Sequence, residues 1–249
     1  MNISITPIGI VSSLIKETSQ MPISGTTSRI IVNQNYIDGL LNINYNSHLW
    51  ILCWFHEAKR DQLISRPKKT NSNAEPFGVF ALRSPTRPNP IALTLVTILA
   101  IEGNQITVSG LDAVDGTPVL DIKPYYEKDT MFAPKTPYIR PMNSNERLNL
   151  FRELAVKHHG EICKDLEIAV EMAFHAEALL GNLFDNSVKL HVKGSSCLGD
   201  SLQAITRAKL GNPERFSFEK YLEVYTVTWT KGNQSFSTNY KDAIGVNVT

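Results

Sequence analysis

The stretch IALTLVTILAIEGNQITVSGL, residues 91–111, decides the fold class of the first half of the chain. Two apolar runs, Ile91 to Ile101 and Gln105 to Leu111, flank Glu102-Gly103-Asn104, and this pattern predicts a β-hairpin. Upstream, His48 to Phe55 (HLWILCWF) is a nearly continuous apolar run, whose length and aromatic content favour a strand buried on both faces. Further strands are predicted at Ile3 to Val11, Ser28 to Val32 and Val119 to Ile122. The first half is therefore predicted to be mainly β, as a compact sheet or small barrel.

The character of the sequence changes after residues 134–141 (PKTPYIRP), where three prolines in eight residues predict a stiff linker. An N-cap at Asn143 or Ser144 then opens an amphipathic helix. Beyond it, the pattern predicts helices at Asp165 to Leu180, ended by Gly181, and at Leu198 to Leu210, ended by Gly211, with a strand at Val188 to Val192 and a hairpin of Tyr221 to Trp229 and Ser235 to Tyr240. The second half is thus predicted to be an α+β domain. The boundary falls near residue 142, which gives domains 1–142 and 143–249.

Composition bounds the class of protein. With 249 residues, 42% hydrophobic and 20% charged, the chain is long enough for one large or two ordinary domains. The formal net charge of +1 means that a nucleic acid would have to be met by a local basic patch. Three scattered cysteines argue against a disulfide framework, and neither a signal peptide nor an apolar run of about 20 residues is evident. We expect a cytoplasmic protein without a membrane partner.

The first candidate site is the loop at residues 78–90 (GVFALRSPTRPNP), which contains two arginines, three prolines and an asparagine. Because each proline fixes φ and disfavours helix in the residue before it, this loop is predicted to be stiff and extended. Arg83, Arg87 and Asn89 would then be held in fixed directions, and rigid guanidinium groups suit carboxylates and phosphates. The alternative is a loop that only caps a sheet.

Two more polar segments lie between predicted strands. His56-Glu57 ends the aromatic strand, and residues 112–118 (DAVDGTP) form a predicted turn with acceptor side chains. Leu93 begins the strand that follows the arginine loop. These segments can converge at one end of a barrel, and loops on a rigid scaffold are the usual location of functional sites.

Taken in this order, the segments resemble the TrmO family, also called TsaA-like or VirR-like, across about Ile5 to Asp129. The matching motifs include Ser47-His48-Leu49-Trp50, Phe55-His56-Glu57, residues 78–85 (GVFALRSP), residues 87–93 (RPNPIAL) and residues 111–124. The resemblance implies a small single β-barrel that transfers a methyl group from S-adenosylmethionine to N6 of threonylcarbamoyladenosine beside a tRNA anticodon. It also implies a homodimer with the cofactor near the subunit interface.

The same resemblance implies which residues form the site. The cofactor pocket would involve Pro22, Ile23, His56, Glu57, Arg83, Leu93, Asp115, Gly116, Thr117 and Pro118. Arg83 would suit the methionyl carboxylate, while Asp115 or Glu57 would accept hydrogen bonds from the ribose hydroxyls and the amino group. The proton acceptor in methyl transfer would be Asp115 or His56. Arg87 and Asn89 would bind the tRNA substrate.

The chain departs from the usual family pattern at two places. It has Pro22-Ile23-Ser24 where relatives often have Pro-Arg-Gln, and residues 68–75 (KKTNSNAE) where relatives often have a glycine-rich stretch. The basic pairs Lys59-Arg60 and Lys68-Lys69 are candidates for binding tRNA phosphates, and solubilisation of a loop is the alternative for the second pair. The sequence therefore indicates the cofactor more firmly than the substrate.

In the second half, His159, Cys163 and Cys197 are candidate metal ligands. A histidine and a cysteine four residues apart, followed by a cysteine that opens a later helix, suit zinc or another divalent metal. Buried structural cysteines are the alternative. His175 and His191 are expected to be ordinary helix and strand residues.

Residues of about 145–245 also resemble the FmdE-like domain, through residues 159–163 (HGEIC), 196–203 (SCLGDSLQ) and Gly211-Asn212. Glu161 stands where that domain has a second histidine, and Lys164-Asp165 replaces its usual Pro-Gly. The resemblance implies a metal-binding or substrate-selecting domain.

Three functions follow from these patterns. The first is the tRNA methyltransferase with an appended second domain. The second is a regulatory protein that binds S-adenosylmethionine or a metal without catalysis. The third is a methyltransferase for a small molecule that the second domain presents.

Overall fold

The structure, a computed structural model, describes residues 4–131, 134–241 and 245–248. The chain divides into two compact units, residues 1–131 and 132–249, and each has its own hydrophobic core. The expectation of a β-barrel followed by an α+β region is confirmed. None of the described helices is long and apolar enough to cross a membrane.

The first unit is built on an antiparallel barrel. Its described strands are β1 (Gly9–Ser12), β2 (Thr26–Val32), β3 (His48–Trp54), β4 (Ile64–Ser65), β5 (Phe77–Gly78), β6 (Ile91–Glu102), β7 (Gln105–Leu111) and β8 (Pro118–Pro124). Six of these strands close into a barrel in the order β1-β2-β7-β6-β3-β8, while β4 and β5 pair with each other. Short 3-10 turns lie at Gln34–Leu40, Ile43–Tyr45, Val79–Ala81 and Glu127–Asp129.

The predicted hairpin at residues 91–111 is confirmed as β6 and β7. Glu102 pairs with Gln105, and Gly103 takes a positive φ of 58° in the turn between them. Such a φ favours glycine, which lacks the Cβ that makes this region costly. A register shift between Ile98 and Ala100 marks a bulge in β6, the strand that also pairs with β3. Bulges increase local twist, which suits a strand that bends around a barrel.

The prediction that the aromatic strand β3 is buried on both faces is wrong. Leu49, Ile51 and Cys53 are each only 0–1% exposed and face the barrel interior, while the alternate residues are half-buried on the outside. A closed barrel has one packed interior, so only one side of this strand is buried there. The outer tryptophans are covered by charged side chains: Arg83 lies over Trp50 and Arg60 over Trp54.

Gly25 holds the segment before β2 against the end of β7. Its φ is +70°, and an added Cβ would lie 2.5 Å from the carbonyl carbon and oxygen of Gly110, so any larger residue would collide with backbone. The N–H of Gly25 donates to the carbonyl of Pro22 at 3.1 Å and closes a turn. This close approach places Pro22 and Ile23 beside the end of β7.

The second unit combines three helices with a five-stranded sheet. Its described elements are α1 (Ser144–His159), α2 (Lys164–Leu180), β9 (Val188–Gly194), α3 (Ser196–Thr206), β10 (Phe216–Lys220), β11 (Tyr225–Lys231), β12 (Gln234–Lys241) and β13 (Gly245–Val248). The strand order is β10-β9-β11-β12-β13, and only the β10–β9 pair within this sheet is parallel. Helices and sheet share one core, which includes Phe151, Met172, Leu202 and Trp229.

The predicted start of α1 and end of α2 are confirmed. The side chain of Asn143 caps α1 by accepting the N–H groups of Asn145 at 2.9 Å and Glu146 at 3.2 Å. These donors have no partner inside the helix, so a cap satisfies them. Gly181, with a φ of +70°, ends α2.

Other predicted boundaries in the chain are wrong. Helix α3 ends at Thr206 and not at Leu210, because Arg207 takes the left-handed φ of 59° and closes the last turn on Gln203. The hairpin strand begins at Tyr225 and not at Tyr221, and β10 was not expected. The first strand begins at Gly9, and Ile3, the first residue of its predicted range, lies outside the described residues.

A buried carboxylate joins helices α1 and α2. Glu177 has a fully buried side chain, and both of its oxygens accept hydrogen bonds from the guanidinium of Arg147. Arg140 forms an ion pair with the same carboxylate at 3.2 Å, and the hydroxyl of Tyr138 donates to it at 3.0 Å. Burial and the Glu177 charge raise the pKa of Tyr138 to about 12. The proline-rich segment is therefore anchored to this unit.

Candidate functional site

A cleft of about 740 Å³ in the first unit is the candidate small-molecule site. Its walls come from residues within separate segments of the chain, namely 18–23, 55–59, 65–70, 82–86 and 112–117. Four of these segments follow or precede barrel strands, whereas residues 65–70 begin at the last residue of β4, a strand that pairs only with β5. A volume of this size is typical of pockets for cofactors and other small molecules.

The cleft brings together six of the ten residues that the family resemblance assigns to the cofactor. They are Pro22, Ile23, His56, Glu57, Arg83 and Thr117. The other four, Leu93, Asp115, Gly116 and Pro118, are not among the residues that line it. Cofactor contact by those four stays a prediction.

The turn at residues 114–117 forms part of one wall and is held by backbone bonds. Thr117 is buried, and its hydroxyl donates to the carbonyl of Val114 at 2.7 Å. Asp115 is exposed, and its carboxylate accepts the N–H of Ser13 at 3.0 Å. Gly116 has a φ of +77° and donates to the carbonyl of Val11 at 2.9 Å. Asp115, which was predicted to accept hydrogen bonds from the cofactor, therefore connects this turn to the segment that follows β1.

The arginine loop is folded back on itself, so the prediction of an extended loop is wrong. Arg87 donates from Nε to the carbonyl of Ser84 at 2.8 Å and from Nη2 to the carbonyl of Val79 at 2.8 Å. Nη2 also donates to the carbonyl of Leu82. A planar guanidinium has five donors in fixed directions, and here they gather three carbonyls of one loop.

The two arginines of this loop have different surroundings. Only Nη1 of Arg87 has no acceptor among the described residues, so its predicted contact with substrate stays a prediction. Asn89 is exposed and does not line the cleft. Arg83 is exposed, lines the cleft, and places Nη1 3.5 Å from the carbonyl oxygen of Leu93.

Asp112 opens the turn predicted at residues 112–118, but the sequence reading did not assign it to the cofactor pocket. It directly follows β7, is half-buried, and accepts a hydrogen bond from the hydroxyl of Thr94. Burial and the nearby Asp112 charge raise the pKa of the Cys53 thiol to about 12. The signal available in the sequence was an acidic residue between two apolar ones, Leu111 and Ala113, because carboxylates seldom lie within an apolar run without a partner. In the structure both neighbours are buried, each 1% exposed.

The cleft is electropositive although the whole chain is nearly neutral. Five basic side chains line it, Lys59, Arg66, Lys68, Lys69 and Arg83, against two acidic ones, Glu57 and Asp112. Lys69 is already engaged, because its ammonium donates to the carbonyls of Met21 and Thr18 and thus bridges two walls. His56 Nε2 lies 3.8 Å from the carboxylate of Glu57.

A second constellation lies in the second unit, where the three predicted metal ligands meet. One ligand atom each of His159, Cys163 and Cys197 lies within 4.8 Å of the others, and all three residues are half-buried. Cys163 caps α2 and Cys197 lies in the first turn of α3. The Cys163 Sγ to His159 Nε2 distance is 3.5 Å. Two sulfurs and one imidazole nitrogen at such spacing fit a tetrahedral zinc ion with one further ligand position.

Asp200 orients the histidine of this constellation. Its carboxylate lies 2.9 Å from Nδ1 of His159 and 3.1 Å from Nε2 of His158. A carboxylate on one ring nitrogen leaves the other nitrogen, here Nε2, for a metal. Burial and the neighbouring Cys163 raise the pKa of Cys197, so the thiolate forms less readily without a cation.

Comparison with known proteins places the chain in a family. Residues 10–130 match the family model of the tRNA-methyltransferase O N-terminal domain. A probable S-adenosyl-L-methionine-binding protein of Methanothermobacter thermautotrophicus is 41% identical over 131 residues, which cover 51% of this chain and 93% of that protein. The chain belongs to the TrmO family. A mouse relative, named tRNA (adenine(37)-N6)-methyltransferase, is 44% identical over 86 residues, which cover 34% of this chain and 20% of that protein.

The likeness to one relative extends into the second unit. A probable S-adenosyl-L-methionine-binding protein of Archaeoglobus fulgidus is 34% identical over 223 residues. The match covers 85% of this chain, which is more than the first unit contains, and this chain spans 60% of that protein's length. The FmdE-like character of the second half, the homodimer and the cytoplasmic location stay predictions.

Proposed function

We propose that this chain is an S-adenosylmethionine-dependent methyltransferase that acts on N6 of threonylcarbamoyladenosine beside a tRNA anticodon. The observation that carries the proposal is the cleft, because it gathers six residues implied by the TrmO resemblance into one volume of about 740 Å³. Membership of the TrmO family and the name of the mouse relative support tRNA as the substrate. The names of the archaeal relatives support the cofactor.

The charges of the cleft suit both molecules. S-adenosylmethionine supplies an activated methyl group on a positively charged sulfur when it is bound. Arg83 is exposed and is among the residues that line the cleft, and a guanidinium can bind a carboxylate with paired hydrogen bonds. The surplus of basic over acidic side chains gives the local positive potential that a tRNA backbone requires.

Methyl transfer to an exocyclic nitrogen depends mainly on alignment, and a group must receive the proton that the nitrogen loses. His56 lines the cleft beside Glu57, so we propose His56 as the proton acceptor. Of the two candidates for this role, Asp115 does not line the cleft and is bonded to Ser13. His56→Gln is expected to lower the turnover number by a larger factor than it weakens cofactor binding, because the residue both lines the cleft and would accept the proton.

The decisive experiment is methyl transfer from labelled S-adenosylmethionine to tRNA that carries threonylcarbamoyladenosine. The parent protein is expected to label that nucleoside, and Arg83→Ala is expected to lose the label. Arg29→Ala, a change of an exposed arginine on β2, is the matched control. Saturable cofactor binding without label in any RNA would contradict the proposal and favour the regulatory function, whereas label in a small molecule would favour the third function.

We also propose that the second unit binds zinc or a similar divalent metal through His159, Cys163 and Cys197. The mutual distances within 4.8 Å and the position of Asp200 support this site. Protein prepared with zinc is expected to retain about one ion per chain after dialysis. Cys197→Ser is expected to lose the ion, while Cys53→Ser, a change of the buried barrel thiol, is expected to keep it. Equal zinc content in both variants would contradict the assignment.

A further inference from the structure

Arg60 is held by two uncharged groups. Its guanidinium carbon lies 5.3 Å from the centre of the Trp54 ring, and its Nε donates to the carbonyl of Pro88 at 2.9 Å. The residue is exposed, and its two terminal nitrogens have no hydrogen-bond or ion-pair partner among the residues that the structure describes. The guanidinium therefore has a fixed direction and keeps its terminal N–H donors for a ligand.

No carboxylate neutralises this charge. Within residues 4–131, as far as the structure describes them, none of the arginines forms an ion pair with an acidic side chain. In the second unit, by contrast, Arg140, Arg147 and Arg152 each pair with a glutamate. An arginine held by an aromatic ring and a carbonyl keeps its full charge, so it attracts anions more strongly than an arginine in an ion pair.

Arg60 connects two segments that line the cleft. Residues 55–59 and 82–86 both contribute to the wall. Arg60 directly follows the first segment, and Pro88, to which it is bonded, lies two residues beyond the second. Arg60 is not itself among the lining residues, so its guanidinium lies outside the cleft, beside the wall.

A single-stranded RNA loop fits this position. In the proposed function the target nucleotide belongs to the anticodon loop, and the chain of nucleotides continues on both sides of it. A cleft of about 740 Å³ receives the target together with the cofactor, so the flanking nucleotides lie on the surface around it. Each of them carries a phosphate, which a guanidinium binds with paired hydrogen bonds.

We propose that Arg60 binds a phosphate of the substrate RNA beside the cleft, and that Trp54 and Pro88 orient it for this contact. The inference rests on the proposed function, because it names one contact through which the same cleft receives its RNA substrate. Arg60 is thus a substrate-binding residue, and Trp54 is a positioning residue.

The structure distinguishes Arg60 from the other three basic residues that the sequence suggested for phosphates. The ammonium of Lys69 already donates to two backbone carbonyls. The side chains of Lys59 and Lys68 have no contact among the described residues that fixes their direction. Arg60 alone of the four combines a fixed direction with unused donors.

Filter binding of tRNA that carries threonylcarbamoyladenosine, repeated at several salt concentrations, tests the contact. Arg60→Ala is expected to bind this tRNA about tenfold more weakly than the parent at low salt. The slope of log K against log salt concentration is expected to become shallower by about 0.7–1, because one phosphate contact is lost. Affinity for S-adenosylmethionine is expected to stay within about twofold of the parent value, which also shows that the variant is folded.

A double-mutant cycle tests the positioning role of Trp54. Trp54→Leu by itself is expected to weaken tRNA binding about threefold, because the ring no longer holds the guanidinium. In a protein that already carries Arg60→Ala, the same change is expected to have no further effect. An equal loss in both backgrounds would show that Trp54 acts on the structure and not through Arg60.

Arg29→Ala is the matched control, because it removes an exposed arginine of the same unit that does not line the cleft. It is expected to keep the tRNA affinity and the salt slope of the parent. If Arg60→Ala matched the parent, or if both variants lost affinity equally, the assignment would be overturned while the proposed function stood. A parent protein that labels no tRNA would instead overturn the proposed function, and the assignment with it.

Discussion

At the scale of single residues, the chemistry of a side chain depends on which of its hydrogen-bonding groups already bind neighbouring residues. Arg83 and Arg87 lie four residues apart in one loop, yet Arg87 donates to three backbone carbonyls and Arg83 lies along the cleft. The three carbonyls that accept from Arg87 belong to Val79, Leu82 and Ser84, in the part of the loop that precedes its first proline. One arginine therefore shapes the loop that presents the other.

Arg87→Lys tests this division of roles. A lysine keeps the charge but offers a compact ammonium in place of the planar fork, so it cannot reach three carbonyls at once. We expect the free energy of unfolding to fall by about 1–3 kcal/mol, measured by urea denaturation. Arg29→Lys, on an exposed site of β2, is the control and is expected to change it by less than about 0.5 kcal/mol. Equal effects of the two variants would show that Arg87 is not needed by the loop.

The three cysteines also differ in how far their side chains are buried. Cys53 is 1% exposed with a pKa raised to about 12, so its reactive thiolate is scarce below pH 9. Cys163 and Cys197 are half-buried. A thiol reagent at pH 8 is expected to modify two thiols of the folded, metal-free protein and three after denaturation.

The same thiol-modification experiment can also be carried out with zinc present. Added zinc is expected to protect both thiols of the folded protein, and the Cys197→Ser variant is expected to show one reactive thiol. Rapid modification of Cys53 in the native state would contradict its placement inside the barrel.

At the scale of elements, α1 and α2 are joined by two arginine–glutamate pairs in different surroundings. Arg147 and Glu177 are buried, whereas Arg152 and Glu167 are about one-third exposed. Both pairs are bidentate, with the second pair at 2.6 and 2.7 Å. Because water screens the outer pair, it contributes little to stability, and removal of one partner from the inner pair leaves a buried charge.

The two pairs therefore give a matched test. Glu177→Gln is expected to destabilise the second unit by about 3–5 kcal/mol, and Glu167→Gln by less than about 1 kcal/mol. Urea denaturation followed by circular dichroism at 222 nm measures this unit, because the α-helices of the described residues all lie in it. Similar losses from the two variants would contradict the burial of the inner pair.

At the scale of the whole molecule, two units with separate cores carry two different candidate sites. The cleft belongs entirely to residues 1–131, and the histidine–cysteine cluster belongs to residues 132–249. A ligand stabilises only the folded unit to which it binds. Binding therefore offers a way to assign each site to its unit in the intact chain.

Scanning calorimetry is expected to show two unfolding transitions. S-adenosylmethionine at a hundred times its Kd is expected to stabilise the barrel unit by about 2.7 kcal/mol. The unfolding of the helical unit, which circular dichroism at 222 nm identifies, is expected to stay at the same temperature. Zinc is expected to shift the helical transition alone. A helical transition that moves with S-adenosylmethionine would contradict the assignment of the cofactor to the barrel unit.

The sequence by itself determined the fold class, the hairpin of β6 and β7, the start of α1, the end of α2, and the TrmO resemblance. These depend on local turns, caps and residue order, which are written in consecutive residues. Only the tertiary structure decided that β3 buries one face, that Arg87 binds its own loop, and that Asp112 shares a cleft with Arg83. Barrel closure and hydrogen bonds between distant segments set these features, and no spacing along the chain encodes which donor reaches which acceptor.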